Sequence, residues 1–97
     1  MVDAPTPEMA NFRTEIDILD RELIALMGRR FEIIRAVADH KKQAGLPPVL
    51  QDRVEQVKDK VANLGVEYNL DAEFMRSLYT VIIDYAHVVE SEIINDN

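Results

Sequence analysis

An apolar repeat runs through almost the whole first half of the chain and restricts the folds that the chain can adopt. Its hydrophobic residues are spaced by three or four positions, which is typical of a helix with one apolar face. The repeat consists of Phe12, Ile16, Leu19, Leu23, Leu26, Ile33 and Val37. It predicts one core-facing helix over residues 7–42, with Thr6 as the N-cap and Pro7 at the first helical position.

The predicted helix is too long to be covered by the domain that contains it. A helix of about 35 residues is about 50 Å long, whereas a compact domain of this size has a radius of gyration of about 12–13 Å. Because the apolar face extends along the whole helix, the protruding part needs a cover. The simplest cover is a second copy of the chain, related by two-fold symmetry. We therefore expect an intertwined homodimer.

Two shorter helices and no strand are predicted for the second half of the chain. One covers residues 50–64, where Gly65 is expected to form the C-cap. The other covers residues 72–94, with Asp71 as its N-cap. The fold class is therefore all-α, a three-helix chain with one very long N-terminal helix.

Composition excludes several classes of protein and site. The 97 residues are 47% hydrophobic, which suffices for a single domain over residues 1–97 with an ordered helical core at about 7–94. The net charge of −7 argues against nucleic acid and anionic membranes as partners. The absence of Cys excludes disulfides and thiolate metal sites. Because the apolar runs are short and the N-terminus does not resemble a signal peptide, we expect a cytoplasmic protein.

Two basic residues, Arg30 and Lys41, occupy positions on the apolar face of the long helix. At about 100° per residue Arg30 has the same azimuth as Phe12, and Lys41 lies about 20° away. An isolated buried charge is unfavourable, and no acidic residue interrupts this face from Phe12 to Lys41. We therefore interpret both cations as groups that bind an anionic ligand. The alternatives are a structural ion pair of Arg30 across the dimer and a Lys41 that only complements the helix dipole.

An ordered set of short segments resembles a known family over residues 11–94. The segments are Phe12-Arg13-Thr14-Glu15-Ile16-Asp17, Leu19-Asp20, Gly28-Arg29-Arg30, Lys41, Asp52-Arg53-Val54, Leu70-Asp71-Ala72 and Ile82-Ile83. Together they resemble the all-helical, AroQ-class chorismate mutases and the closely related isochorismate-pyruvate lyases. The resemblance implies a domain-swapped dimer of three-helix chains whose active sites are shared between the two subunits.

The resemblance assigns a role to each of five residues. Arg13 would reach the other subunit's site and bind a carboxylate, Arg30 would pair with a second carboxylate, and Arg53 would join this cluster. Lys41 would hydrogen-bond the ether oxygen and a carboxylate, and Glu90 stands where the family has Gln or Glu in contact with that oxygen. The predicted catalytic residues are Lys41, Glu90 and Arg30, and all five are predicted to bind substrate. A solvated surface charge is the open alternative for Arg53 and Glu90.

The substrate implied by the resemblance is a small dicarboxylate, chorismate or isochorismate, and no cofactor or metal is implied. The rearrangement of chorismate to prephenate is pericyclic, so it needs neither a nucleophile nor a proton transfer. Such a site has to hold the side chain of the substrate over its ring and stabilise the charge that develops on the ether oxygen. Arg and Lys are suited to this task because they bind carboxylates strongly.

Two positions depart from the pattern of many mutases. Val54 stands where many of them carry a Glu that organises the ring end of the substrate, and Leu50 where some use an Asp to contact the ring hydroxyl. In this respect Val54 is similar to the lyase branch. The alternatives are therefore an isochorismate-pyruvate lyase that forms salicylate and pyruvate, an amino-chorismate mutase, or a non-catalytic helical module for dimerisation or regulation.

Overall fold

The computed structural model describes residues 6–96, which form three helices and, within that range, no strand. In chain order these are α1 (Pro7–Ala44), α2 (Gln51–Glu67) and α3 (Ala72–Ile94). The predicted all-α class and the long N-terminal helix are confirmed. Residues 1–5, on which most of the expectation about a signal peptide rests, lie outside the described residues.

Side-chain caps at two helix starts are as the sequence predicts. The Thr6 hydroxyl accepts a hydrogen bond from the Met9 amide at 3.1 Å, directly before Pro7 begins α1. The Asp71 carboxylate accepts one from the Phe74 amide at 2.8 Å at the start of α3. Each cap satisfies an amide that has no partner inside its own helix.

A glycine-dependent turn ends α1. Gly45 has φ of 70°, a left-handed conformation that favours glycine. The Gly45 amide donates to the Lys42 carbonyl at 3.4 Å, and the Leu46 amide donates to the Lys41 carbonyl at 2.8 Å. This pair of hydrogen bonds is a Schellman motif, which satisfies two of the last carbonyls of the helix.

The predicted end of α2 is wrong. Gly65 does not cap the helix but lies inside it and is buried, and the C-cap is Tyr68. The left-handed residue that follows is Asn69, with φ of 60°. The physical reason lies in packing: a Cβ atom at Gly65 would come within 2.5 Å of Cγ of Met75 on α3. A glycine is required here by the approach of α3 rather than by the turn.

The chain divides into two compact units, one ending at Glu32 and one beginning at Ile33. The described part of the first unit is helical and carries large apolar side chains that are more than half exposed. These side chains, which we call the α1 seam, are Phe12, Ile16, Leu19, Leu23 and Leu26. The prediction that this face belongs to a core is therefore not met within a single chain.

The buried core of the chain lies in the second unit, where α2 and α3 pack against each other. Its apolar members are Ala38, Val54, Val61, Ala62, Ile82, Ile83 and Ala86. Ile33 and Val37, the last members of the predicted apolar face, remain exposed, and the buried residues of α1 are Ala38 and Lys41. In the described residues, no helix combines the length and the apolar character needed to cross a bilayer.

Two glycines inside helices form a matched pair that tests the packing of α2 on α3. A Cβ atom at Gly28 would meet no heavy atom of another segment within 4 Å, so Gly28→Ala is expected to raise the free energy of unfolding by about 1 kcal/mol. Gly65→Ala is expected to lower it by about 1–3 kcal/mol, because Met75 has to move. Urea unfolding at equal protein concentrations measures both. Equal stability of the two variants would contradict a close approach at Gly65.

Candidate active site

A buried ion pair joins the end of α1 to the end of α3. Lys41, in the last turn of α1, is 9% exposed, and Glu90, near the end of α3, is 3% exposed. The Lys41 ammonium nitrogen lies 2.7 Å from Oε1 of Glu90. The two residues are 49 positions apart in the sequence, so only the packing of the helices brings these opposite charges together.

The Lys41 ammonium has a second partner in the loop between α1 and α2. It donates a hydrogen bond to the backbone carbonyl oxygen of Pro48 at 2.8 Å. Charge-assisted hydrogen bonds of this length are stronger than those between neutral groups. The position of the ammonium is therefore set by the loop as well as by α3.

Stability alone does not explain the burial of this ion pair. Removing two charges from water is expensive, and a well-packed apolar pair is often as stable or more stable. Ionisable groups that are buried together frequently mark a binding or catalytic site. Lys41 and Glu90 are therefore candidates for such a site, and their catalytic roles stay a prediction.

Two of the alternative interpretations are wrong. Glu90 is not a surface charge, because it continues the buried face of α3 four residues after Ala86. Lys41 does not merely complement the dipole of α1, because its side chain is buried and paired. The sequence was ambiguous about Glu90 because large apolar residues occur on two faces of α3. The small buried residue Ala86 was the signal that could have identified the correct face.

The three predicted arginines differ in their surroundings. Arg53, in the first turn of α2, is exposed, and no hydrogen bond or ion pair of the described residues joins it to Lys41 or Glu90. In the first unit Arg13 is exposed, whereas Arg30 is half-buried and its Nη1 atom is shielded from solvent. The grouping of the arginines around one ligand stays a prediction.

Apolar side chains occupy the two positions where many mutases carry carboxylates. Leu50 is the N-cap residue of α2 and makes no side-chain capping bond. Val54, one turn later, is buried. Neither side chain can accept a hydrogen bond from a ring substituent. Among the described residues no group of three or more His, Asp or Glu side chains is arranged to hold a metal ion.

Comparison with known proteins identifies the class to which this fold and site belong. The chain matches the family chorismate mutase type II over residues 12–91. This range includes most of α1, all of α2 and most of α3, with both members of the buried ion pair. The chain therefore belongs to the type II chorismate mutase family.

Individual relatives carry names for two substrates. A 4-amino-4-deoxychorismate mutase of Streptomyces venezuelae is 36% identical over 76 residues, which cover 78% of this chain and 74% of the relative. An intracellular chorismate mutase of Mycobacterium tuberculosis is 34% identical over 61 residues, 63% of this chain and 58% of the relative. A chorismate mutase of Methanocaldococcus jannaschii is 22% identical over 89 residues, 92% of this chain and 90% of the relative. All three are named as mutases.

A double-mutant cycle tests whether each charge of the buried ion pair compensates the other. Glu90→Leu leaves the Lys41 charge buried without its partner, so the free energy of unfolding is expected to fall by about 3–5 kcal/mol. Adding Lys41→Met removes that charge, and the double variant is expected to recover most of the loss. Urea unfolding measures each step.

The exposed ion pair between Arg76 and Asp59, 2.9 Å apart, provides the control. Asp59→Asn is expected to change the free energy of unfolding by less than about 1 kcal/mol. A double variant of Lys41 and Glu90 that is no more stable than Glu90→Leu would show that the loss comes from packing and not from the uncompensated charge.

Proposed function

We propose that this protein is a chorismate mutase that rearranges chorismate to prephenate. The observation that carries the proposal is the buried Lys41–Glu90 pair. Glu90 holds the ammonium of Lys41, and the family resemblance assigns this lysine to bind the ether oxygen of the substrate. Membership of the type II chorismate mutase family supports the same reaction class.

The chemistry requires placement and electrostatics. In the rearrangement the ether C–O bond breaks while a new C–C bond forms within the same molecule, so atoms and charge balance without a co-reactant. Negative charge develops on the ether oxygen, and the Lys41 ammonium is the donor that stabilises it. In this proposal Glu90 keeps the buried ammonium oriented, and the arginine forks of Arg30 and Arg53 bind the two carboxylates.

We further propose that the active protein is a homodimer in which Arg13 completes the partner's site. The α1 seam is a contiguous apolar surface, and large exposed surfaces of this kind mark interaction sites. A second exposed apolar stripe runs along α3, with side chains 40–68% exposed. This α3 seam consists of Phe74, Leu78, Val81, Tyr85 and Val88.

Both seams have the same spacing of four, three, four and three residues, which is the pattern of helices that pack side by side over long distances. A second copy supplies a surface of matching chemistry and length for each seam. It also brings a fourth cation, Arg13, to a dianionic substrate. An acidic chain with a net charge of −7 gains from concentrating cations where the anion binds.

A second candidate substrate is 4-amino-4-deoxychorismate, and two observations favour it. The Streptomyces venezuelae relative that bears this name is 36% identical to the chain. Leu50 and Val54 present no carboxylate for a ring hydroxyl. An apolar ring end does not select a hydroxyl by hydrogen bonding, so an amino group at the same ring carbon is compatible with it.

Turnover of three substrates tests the proposed function. The purified protein is incubated separately with chorismate, 4-amino-4-deoxychorismate and isochorismate, and the products are identified by mass spectrometry. Prephenate from chorismate is expected, the corresponding rearranged amino product would support the second candidate, and salicylate with pyruvate would identify a lyase instead. Lack of turnover with all three would contradict the proposed function.

The matched control for this assay is the neighbouring lysine. Lys41→Ala is expected to lower kcat by about 100- to 1,000-fold, since it removes the main donor to the developing charge. Lys42, one residue later, is exposed and donates to the backbone carbonyl of Asp96. Lys42→Ala is therefore expected to leave kcat unchanged.

Subunit complementation tests the shared site. Arg13→Ala and Lys41→Ala are each expected to be inactive, but a mixture that is unfolded and refolded together is expected to recover about one quarter of the wild-type activity. Half of the dimers are then mixed, and each mixed dimer has one intact site of two. A mixture of Lys41→Ala and Arg53→Ala, which alter the same chain's contribution, is the control and should stay inactive. Equal recovery in both mixtures, or none in either, would contradict a shared site.

A further inference from the structure

We propose that the backbone carbonyl of Pro48 is a positioning group for Lys41 and contributes to the rate of the rearrangement by orienting the ammonium. This inference rests on the proposed function, because it deepens the role of the same site. The observation behind it is the 2.8 Å hydrogen bond from the Lys41 ammonium to the Pro48 carbonyl oxygen. Pro48 itself would not contact the substrate.

The α1–α2 loop is attached to Lys41 at two points. The Lys41 backbone carbonyl accepts the hydrogen bond from the Leu46 amide at 2.8 Å, and the Lys41 side chain donates to Pro48 two residues further on. The left-handed Gly45 makes the first of these bonds possible. One residue therefore holds both the start and the middle of the loop, so the loop and the ammonium restrain each other.

The sequence of the loop restrains the backbone that leads to the Pro48 carbonyl. The rings of Pro47 and Pro48 fix φ at both positions. A residue that precedes proline is restricted to extended conformations, which applies to Leu46 and to Pro47. The chain leading to Pro48 therefore has little freedom, and ψ of Pro48 is the main torsion left to order when its carbonyl accepts the hydrogen bond, which lowers the entropic cost of holding the ammonium.

The second bond fixes the direction of the remaining N–H donor of the ammonium. An ammonium group has three N–H donors. In the described part of the chain two of them are used, one by Glu90 and one by Pro48. Because the three donors have a fixed tetrahedral arrangement, two bonds determine the direction of the third, which remains for a ligand.

A carbonyl suits this task better than a second carboxylate. Glu90 already balances the charge of Lys41, and another anion at this place would repel a dicarboxylate substrate. The Pro48 carbonyl is a neutral dipole, so it orients the ammonium without adding a negative charge. The orienting bond matters most when charge develops on the ether oxygen, and its loss should therefore lower kcat more than it raises KM.

The test weakens this one acceptor in the intact 97-residue chain. Replacing Val49 by its α-hydroxy acid turns the Pro48–Val49 amide into an ester, whose carbonyl is a weaker acceptor. The control is the same replacement at Asp71, which converts the Leu70–Asp71 amide in the α2–α3 loop. Neither replaced amide donates, and the Leu70 carbonyl accepts nothing, in the hydrogen bonds of the described residues.

Two measurements are made on both esters. The first is the NMR signal of the Lys41 ammonium in the ligand-free protein, assigned by its loss in Lys41→Arg, together with its rate of hydrogen exchange. The second is kcat and KM with the substrate that the wild type converts. The Val49 ester is expected to speed the exchange of the Lys41 ammonium and to lower kcat by about fivefold, with little change in KM. The Asp71 ester is expected to change neither.

Any outcome other than the expected one would overturn the inference. Equal effects of the two esters would show that the Pro48 acceptor has no special role. Faster exchange with an unchanged kcat would show that orientation of Lys41 does not limit the reaction, and a lower kcat with unchanged exchange would exclude an effect through Lys41. If the wild type converts none of the three substrates, the proposed function fails, and the exchange rates alone decide whether Pro48 holds Lys41.

Discussion

The ion pair between Lys41 and Glu90 is the interaction on which the rest of the second unit depends. It lies at the ends of two helices, and both of its members are buried. Burying two charges is acceptable only when each has its partner in good geometry. The end of α1, the loop that follows it and the buried face of α3 therefore have to be in register with one another.

This requirement explains features that otherwise look unrelated. Gly45 and the two prolines after Leu46 end α1 within one turn of Lys41 and return the loop to its side chain. Gly65 lets α3 approach α2 closely at Met75, which helps to set the position of α3. The residues that end α1 therefore also place one cation, and the proposed chemistry needs that cation in a definite orientation.

A second constraint is the apolar surface that the core of a single chain does not cover. The α1 seam and the α3 seam are both exposed in a single chain, although their residues are as apolar as those of a core. One helix accounts for 38 of the 97 residues, and a chain of this size cannot bury such a helix by itself. In the proposed dimer the second copy has two roles. It covers both seams, and it brings Arg13 to the substrate.

Much of the fold was accessible from the sequence, since the signals involved act over a few residues. The caps at Thr6 and Asp71 and the repeat of α1 are read along one stretch of chain, and the structure confirms the three helices that they predict. Gly65 was misinterpreted because a glycine near a helix end has two explanations. Local sequence does not reveal that another helix passes within reach of it.

The class of the fold, the presence of three helices and the set of charged residues available for a site follow from the sequence alone. The inward orientation of Glu90 toward Lys41 and the contact with the Pro48 carbonyl depend on how the helices pack. The reason is physical: helical periodicity fixes which residues share a face, but not which face is buried. That choice depends on how α3 packs against the other elements of the second unit, and it joins residues 49 positions apart.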